Sequence, residues 1–308
     1  MISILMATYN GEKYLQEQFE SLADQTIQSF HLYIRDDASN DQTKIILQDW
    51  KQRLGECVSV EIAETNSGNS KHNFLQMMCS VRDDYIMLCD QDDVWVPNKT
   101  ELLLAKMHEL EYKHGKKTPV LVYSDLVVVD ENLNVIHPSF WKTMKVGYWK
   151  TDFRHELAQN TMTGCTCMYN RALAELIREE PEYCIMHDWW LELVASAFGV
   201  LGHVKSQTVL YRQHGKNVFG AQDMSSVHGI FKRITQQRRN RQALHNTYSQ
   251  ANSFINVYGK MLEKNKFDLG SSYSSFASMQ KIVRIWTLIK LGSWKHGIIR
   301  KIAQILYI

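Results

Sequence analysis

Short apolar runs alternate with stretches whose apolar residues recur at helical spacing along the first half of the chain. Residues 2–7 form an apolar run closed by Thr8-Tyr9-Asn10-Gly11, the pattern of a buried strand ending in a turn. Residues 12–23 place Tyr14, Leu15, Phe19 and Leu22 on one helical face. The alternation repeats. A strand over 31–34 precedes a helix over 43–54 with Ile45, Ile46, Leu47 and Trp50 expected inward; a strand over 58–63 precedes a helix over 71–81. A fully apolar strand over 85–89 precedes a helix over 98–113 opened by Pro97, and 120–129 supplies a further strand. From about 147 to 220 the pattern is mixed, with a strand near 163–169 and helices near 172–178 and 188–198. Such alternation predicts an α/β fold with a mainly parallel sheet flanked by helices, in which ligands bind beyond the carboxyl ends of the strands.

Charge divides the chain further. Residues 227–308 hold fourteen Lys/Arg against two acids, Glu263 and Asp268, although the whole chain of 308 residues is only +2. An acidic body with a basic tail suggests chemistry in the first part and docking in the second. The boundary is expected near 220: a catalytic domain over 1–220 and a helical basic region over 221–308. The six cysteines include no CxxC pair, and Cys89, Cys165 and Cys167 lie in apolar stretches as buried thiols would. A reducing, cytoplasmic setting is expected. The first residues lack the basic segment and cleavage site of a signal peptide and read as a strand. No GxGxxG, Walker A, GxSxG or HExxH sequence occurs, which disfavours dinucleotide, P-loop, serine-hydrolase and zincin chemistry.

Three acidic clusters each follow a strand or open a helix. Asp36-Asp37-Ala38-Ser39-Asn40-Asp41 offers a carboxylate for a nucleobase N–H, with Ser39 and Thr43 expected to cap the next helix; capping alone is the alternative. Asp90-Gln91-Asp92-Asp93 packs like charges that a hard divalent cation would neutralise, unless the loop is merely solvated. His187-Asp188-Trp189-Trp190 offers a general base beside aromatics that could wall a sugar, or a helix cap. Tyr211-Arg212-Gln213-His214 ends a strand among cationic and amide side chains suited to phosphate or metal.

In this order, Met6-Ala7-Thr8-Tyr9-Asn10-Gly11, the Asp36–Asp41 cluster, Asn66-Ser67-Gly68 with Asn73-Phe74, Cys89-Asp90-Gln91-Asp92-Asp93-Val94-Trp95, Thr163-Gly164-Cys165, His187-Asp188-Trp189 and Tyr211–His214 resemble family 2 glycosyltransferases of the GT-A fold. The resemblance covers about residues 1–220. It implies an inverting transferase with Asp188 as catalytic base. Thr8, Tyr9, Asn10, Asp37, Asn66, Asn73, Asp90, Gln91 and Lys99 would serve the nucleotide sugar, and Asp92 and His214 the metal, Mn²⁺ or Mg²⁺. Trp95, Gly164, His187, Trp189 and Arg212 would lie on the acceptor or sugar side. Many relatives read Glu-Asp where this chain has His187-Asp188. The wider wording is similar to bacterial rhamnosyltransferases of surface polysaccharide synthesis, which implies dTDP-L-rhamnose as donor, with UDP-hexoses as the alternative. A non-catalytic carbohydrate-binding scaffold is the rival from another class.

In the tail, Lys232, Arg233, Arg238, Arg239 and Arg241 cluster, and 282–308 carries apolar residues at helical spacing interrupted by Lys290, Lys295, Arg300 and Lys301. That suits a helix lying on an anionic membrane surface rather than a span, and would bring the enzyme to a lipid-linked glycan acceptor on the inner face of the membrane. Packing on the catalytic domain or on a partner subunit, as in a homodimer, is the alternative. Nucleic acid is not an expected partner.

Overall fold

The computed structural model describes residues 1–214 and 237–308. The elements run β1 (Ile2–Thr8), α1 (Leu15–Ala23), β2 (Phe30–Asp36), α2 (Thr43–Leu54), β3 (Val58–Ile62), α3 (Ser70–Ser80), β4 (Tyr85–Cys89), β5 (Val94–Trp95), α4 (Lys99–His114), β6 (Val120–Val129) and β7 (Val135–His137). They continue with α5 (Phe140–Met144), α6 (Phe153–Glu156), β8 (Cys167–Asn170), α7 (Arg171–Ala174), α8 (His187–Phe198) and β9 (Val200–Arg212). After the undescribed stretch come α9 (Gln237–Tyr258), α10 (Lys264–Ser274), α11 (Lys281–Leu291) and α12 (Ile298–Tyr307). Lys232 and Arg233 of the basic tail cluster lie outside the described residues.

Two compact units form. The first comprises Met1–Phe140, Met162–Glu180 and Gly199–Ala221; the second comprises Trp141–Thr161, Pro181–Phe198 and Gln222–Ile308. Within the second unit, Trp190 of α8 packs edge-on against Phe254 of α9 (5.7 Å between centroids) and beside Tyr258 (6.0 Å), so burial of these rings draws α8 to the tail helices.

The first unit holds one nine-stranded sheet in the order β3-β2-β1-β4-β8-β6-β9-β5, with β7 beside β6. β3, β2, β1 and β4 are mutually parallel; β8 enters antiparallel between β4 and β6, and β6 and β9 are parallel again. All seven residues of β1 are buried, as a strand covered on both faces requires. Leu15, Phe19 and Leu22 of α1 and Leu47 and Trp50 of α2 pack onto Ile4, Met6, Leu32 and Ile34. Parallel register brings Thr8 beside Asp36 and Met6 beside Cys89, so the loops after β1, β2 and β4 meet at one sheet edge.

Some expectations are corrected. Ile45 is exposed, because only every third or fourth position of α2 can face the sheet and Leu47 and Trp50 occupy that face. The strand expected over 163–169 begins as a 3₁₀ turn, Gly164–Thr166, and the helix expected over 172–178 is the single turn Arg171–Ala174. The apolar stretch 282–308 is two helices, parted by Gly292 and Gly297 in left-handed and positive-φ conformations (φ 70° and 79°).

Candidate active site

At the sheet edge, loop side chains satisfy one another. The Thr8 hydroxyl donates to Asp36 Oδ1 (2.8 Å), and the Ser39 amide and hydroxyl donate to Asp36 Oδ2 (2.9 Å) and Oδ1 (2.6 Å). Asn10, at φ 47°, donates its amide to Ser39 Oγ (2.9 Å) and accepts from the Asn40 amide (2.9 Å). The Gly11 amide donates to Thr43 Oγ1 (2.8 Å). Ser39 and Thr43 thus brace the loop after β1 and do not cap α2, whose N-cap residue Gln42 makes no side-chain cap bond. Parallel neighbours end side by side, so donors of one loop find acceptors of the next. Tyr9, braced on both sides, keeps 45% of its surface exposed.

Asp37 borders a cleft of about 610 Å³ that Arg35, Glu61, Thr65, Ser67 and His72 also line. The Ser67 amide and hydroxyl donate to the Asp37 carboxylate at 2.9–3.1 Å, and Asn66 Nδ2 donates to the Asp37 carbonyl (3.1 Å). Asn73 is buried and accepts from the Arg35 guanidinium, whose Nε reaches Glu61 (3.1 Å). Asn66 and Asn73 therefore shape the cleft through Asp37 and Arg35.

The loop after β4 is tied to the same edge. Gln91 Oε1 accepts from the Tyr9 amide (2.8 Å) while its Nε2 donates to the Tyr9 carbonyl (3.0 Å). A Cβ on Gly11 would stand 2.4 Å from Gln91 Oε1, so a side chain there would have to displace the Gln91 amide. Asp92 Oδ2 lies 2.7 Å from His214 Nε2, and the His214 ring stacks on Tyr14 at 5.0 Å. Asp93 is fully buried and accepts from the Arg212 amide (3.1 Å). Burial first, then the charges of Asp92 and Asp90, push its carboxyl well above the usual range. Ligand atoms of Asp90, Asp93 and Cys165 fall within 4.8 Å of one another, a second group able to hold a metal.

Three expected ligand-facing residues turn inward instead. Arg212 is 1% exposed: Nε donates to the Asp92 carbonyl (2.8 Å), Nη1 to the Glu131 carbonyl (2.6 Å) and Nη2 to Glu17, with the guanidinium 4.5 Å over Tyr14. It positions the Asp92–Asp93 loop from below. Lys99 is fully buried, donates to the Cys165 carbonyl (2.5 Å) and sits 3.1 Å from the ring centroid of the equally buried Trp95. Burial lowers its ammonium to about 8. β5 pairs with the end of β9 and faces Trp95 into the core, which takes Lys99 with it. Arg212→Met is expected to lower stability by about 3 kcal/mol, by stranding carbonyls that now accept charged hydrogen bonds. A thermal midpoint unchanged beside lost turnover would return Arg212 to the substrate side.

In the second unit, Asp188 lies in the first turn of α8, where its Oδ1 accepts from the Trp189 amide (2.7 Å). His187 beside it is buried. Trp189 is partly exposed and donates Nε1–H to the Glu156 carbonyl (2.7 Å), whereas Trp190, expected in the same wall, is buried in the core against Phe254 and Tyr258. One turn after Asp188, fully buried Glu192 accepts from the Thr161 amide (2.9 Å) and hydroxyl. Burial pushes both Glu192 and Glu156 up, and Glu192 raises Glu156 further. The sequence carries no local signal for this carboxyl pair, which lies far apart along the chain.

Among known proteins, the profile of "Glycosyl transferase family 2" matches residues 3–175. The chain is 26% identical over 233 residues, 70% of this chain and 74% of the other, to the dTDP-rhamnosyl transferase RfbG of Shigella flexneri. It is 26% identical over 174 residues to the UDP-Glc:alpha-D-GlcNAc-diphosphoundecaprenol beta-1,3-glucosyltransferase WfgD of Escherichia coli, covering 56% of this chain and 61% of that one. The fold resembles S. aureus TarS bound to UDP-GlcNAc, with TM-score 0.57 and 18% identity over 94% of this chain and 79% of that one.

Proposed function

The chain belongs to glycosyl transferase family 2, and from that premise we propose that it transfers L-rhamnose from dTDP-L-rhamnose, with inversion, to a hydroxyl of a lipid-linked glycan in surface polysaccharide synthesis. The carrying observation is the sheet edge where Asp37 borders a cleft and half-exposed Tyr9 is clasped by Gln91, with Asp92 and His214 paired in the same unit. The donor assignment is supported by the likeness to RfbG and the acceptor class by that to WfgD.

In this reading Asp37 accepts the imide N–H of the nucleobase. Asp188 removes a proton from the acceptor hydroxyl, whose oxygen bonds to the anomeric carbon as the bond to the nucleoside diphosphate breaks on the opposite face. The donor set after β4 fits a hard divalent cation: carboxylates of Asp90 and Asp92 with the ring nitrogen of His214 would hold Mn²⁺ or Mg²⁺, whereas Asp93 and the Cys165 thiol are buried and less suited. When bound, such a cation supplies charge neutralisation to the diphosphate leaving group. The setting is the cytoplasmic face of the membrane; no helix among the described residues is long and apolar enough to cross it.

The test is release of nucleoside diphosphate from a panel of nucleotide sugars, with Mn²⁺ or Mg²⁺ and with EDTA. Release from dTDP-rhamnose that EDTA abolishes is expected. Release from a UDP-hexose alone would replace the donor, and silence across the panel would favour the non-catalytic scaffold.

A further inference from the structure

α12 is turned inside out. Its exposed positions are all apolar: Ile298 (78% exposed), Ile299, Ile302, Ile305 and Leu306. Its buried side instead carries Gln304, whose amide donates to the Ser293 carbonyl (2.9 Å) and accepts from the Lys295 amide (2.9 Å). α11 repeats the pattern sixteen residues earlier with Ile282, Val283, Trp286 (71% exposed) and Ile289 outward. The Lys281 ammonium at the start of α11 donates to the Leu306 carbonyl near the end of α12 (3.1 Å), which ties the two helices at one point. An ordinary surface helix would bury such a stripe. Nothing among the described residues covers it.

We propose that the outward apolar faces of these two helices dock on an anionic lipid surface, each helix lying along the interface. Charge decides the occupant. Lys281 and Lys290 are exposed beside the apolar residues, Lys301 flanks them, and no acid follows Asp268 in the sequence. An apolar stripe rimmed only by cations matches acyl chains beneath anionic headgroups, while a second copy of the same face would set like charges together. Exposed Trp286 suits the headgroup boundary. The inference concerns the second unit alone and stands apart from the donor and the reaction.

The experiment is co-sedimentation of the full chain with vesicles of phosphatidylcholine containing phosphatidylglycerol, and with vesicles of phosphatidylcholine alone, at low and high salt. Binding to the anionic vesicles, weakened by salt, is expected. The double variant Ile298→Asp, Ile302→Asp should lose at least about tenfold in vesicle affinity, while Val135→Asp, at an exposed apolar site in the other unit, should bind as the parent does. Circular dichroism and nucleotide-induced thermal shift would confirm that the double variant is folded. Failure of the parent to bind, or equal binding by the double variant, overturns the proposal. So does a parent dimer in sedimentation velocity that the double variant dissolves without any vesicle binding.

Discussion

Asp188→Asn is expected to reduce turnover at least about a thousandfold while leaving nucleotide affinity within about threefold. An amide oxygen can still accept from the Trp189 amide, so the first turn of α8 should keep its geometry. What the amide cannot do is hold the proton of the acceptor hydroxyl. The two effects separate in steady-state kcat and in the thermal shift produced by dTDP or UDP. Preserved turnover would reduce Asp188 to a residue that steadies a helix start.

Asp92→Asn should have the next largest effect, a fall in turnover of about a hundredfold or more with weakened dependence on Mn²⁺. The carboxylate paired with His214 is a partly buried group of the loop after β4, and removing its charge takes away the anionic donor beside the imidazole. Turnover against Mn²⁺ concentration, parent and variant together, reads this directly. An unaltered metal titration would move the cation to the group formed by Asp90, Asp93 and Cys165.

Much of the fold was legible because strand and helix periods differ and the acids stop the strands. The spans Thr43–Leu54, Tyr85–Cys89 and Val120–Val129 agree with the apolar pattern to the residue. The meeting of the loops after β1, β2 and β4 also follows from parallel alternation. Periodicity assigns a residue to a face of its own element but not to its neighbour across the fold. Arg212 and Lys99 therefore read as ligand contacts, although the carbonyls of Asp92 and Glu131 hold Arg212 inward and the Cys165 carbonyl and Trp95 ring hold Lys99. Glu156 and Glu192 are too far apart in sequence for any local pattern to pair them. No change in composition marks residues 141 or 181, where the chain leaves one unit for the other.

The two-point clasp of Gln91 on the Tyr9 backbone has a thermodynamic consequence. It joins the loop that would meet the nucleotide to the loop that would meet the cation, so ordering either one removes entropy that the other no longer has to lose. Cooperativity then follows without any change of shape, and by reciprocity each ligand tightens the other by the same factor.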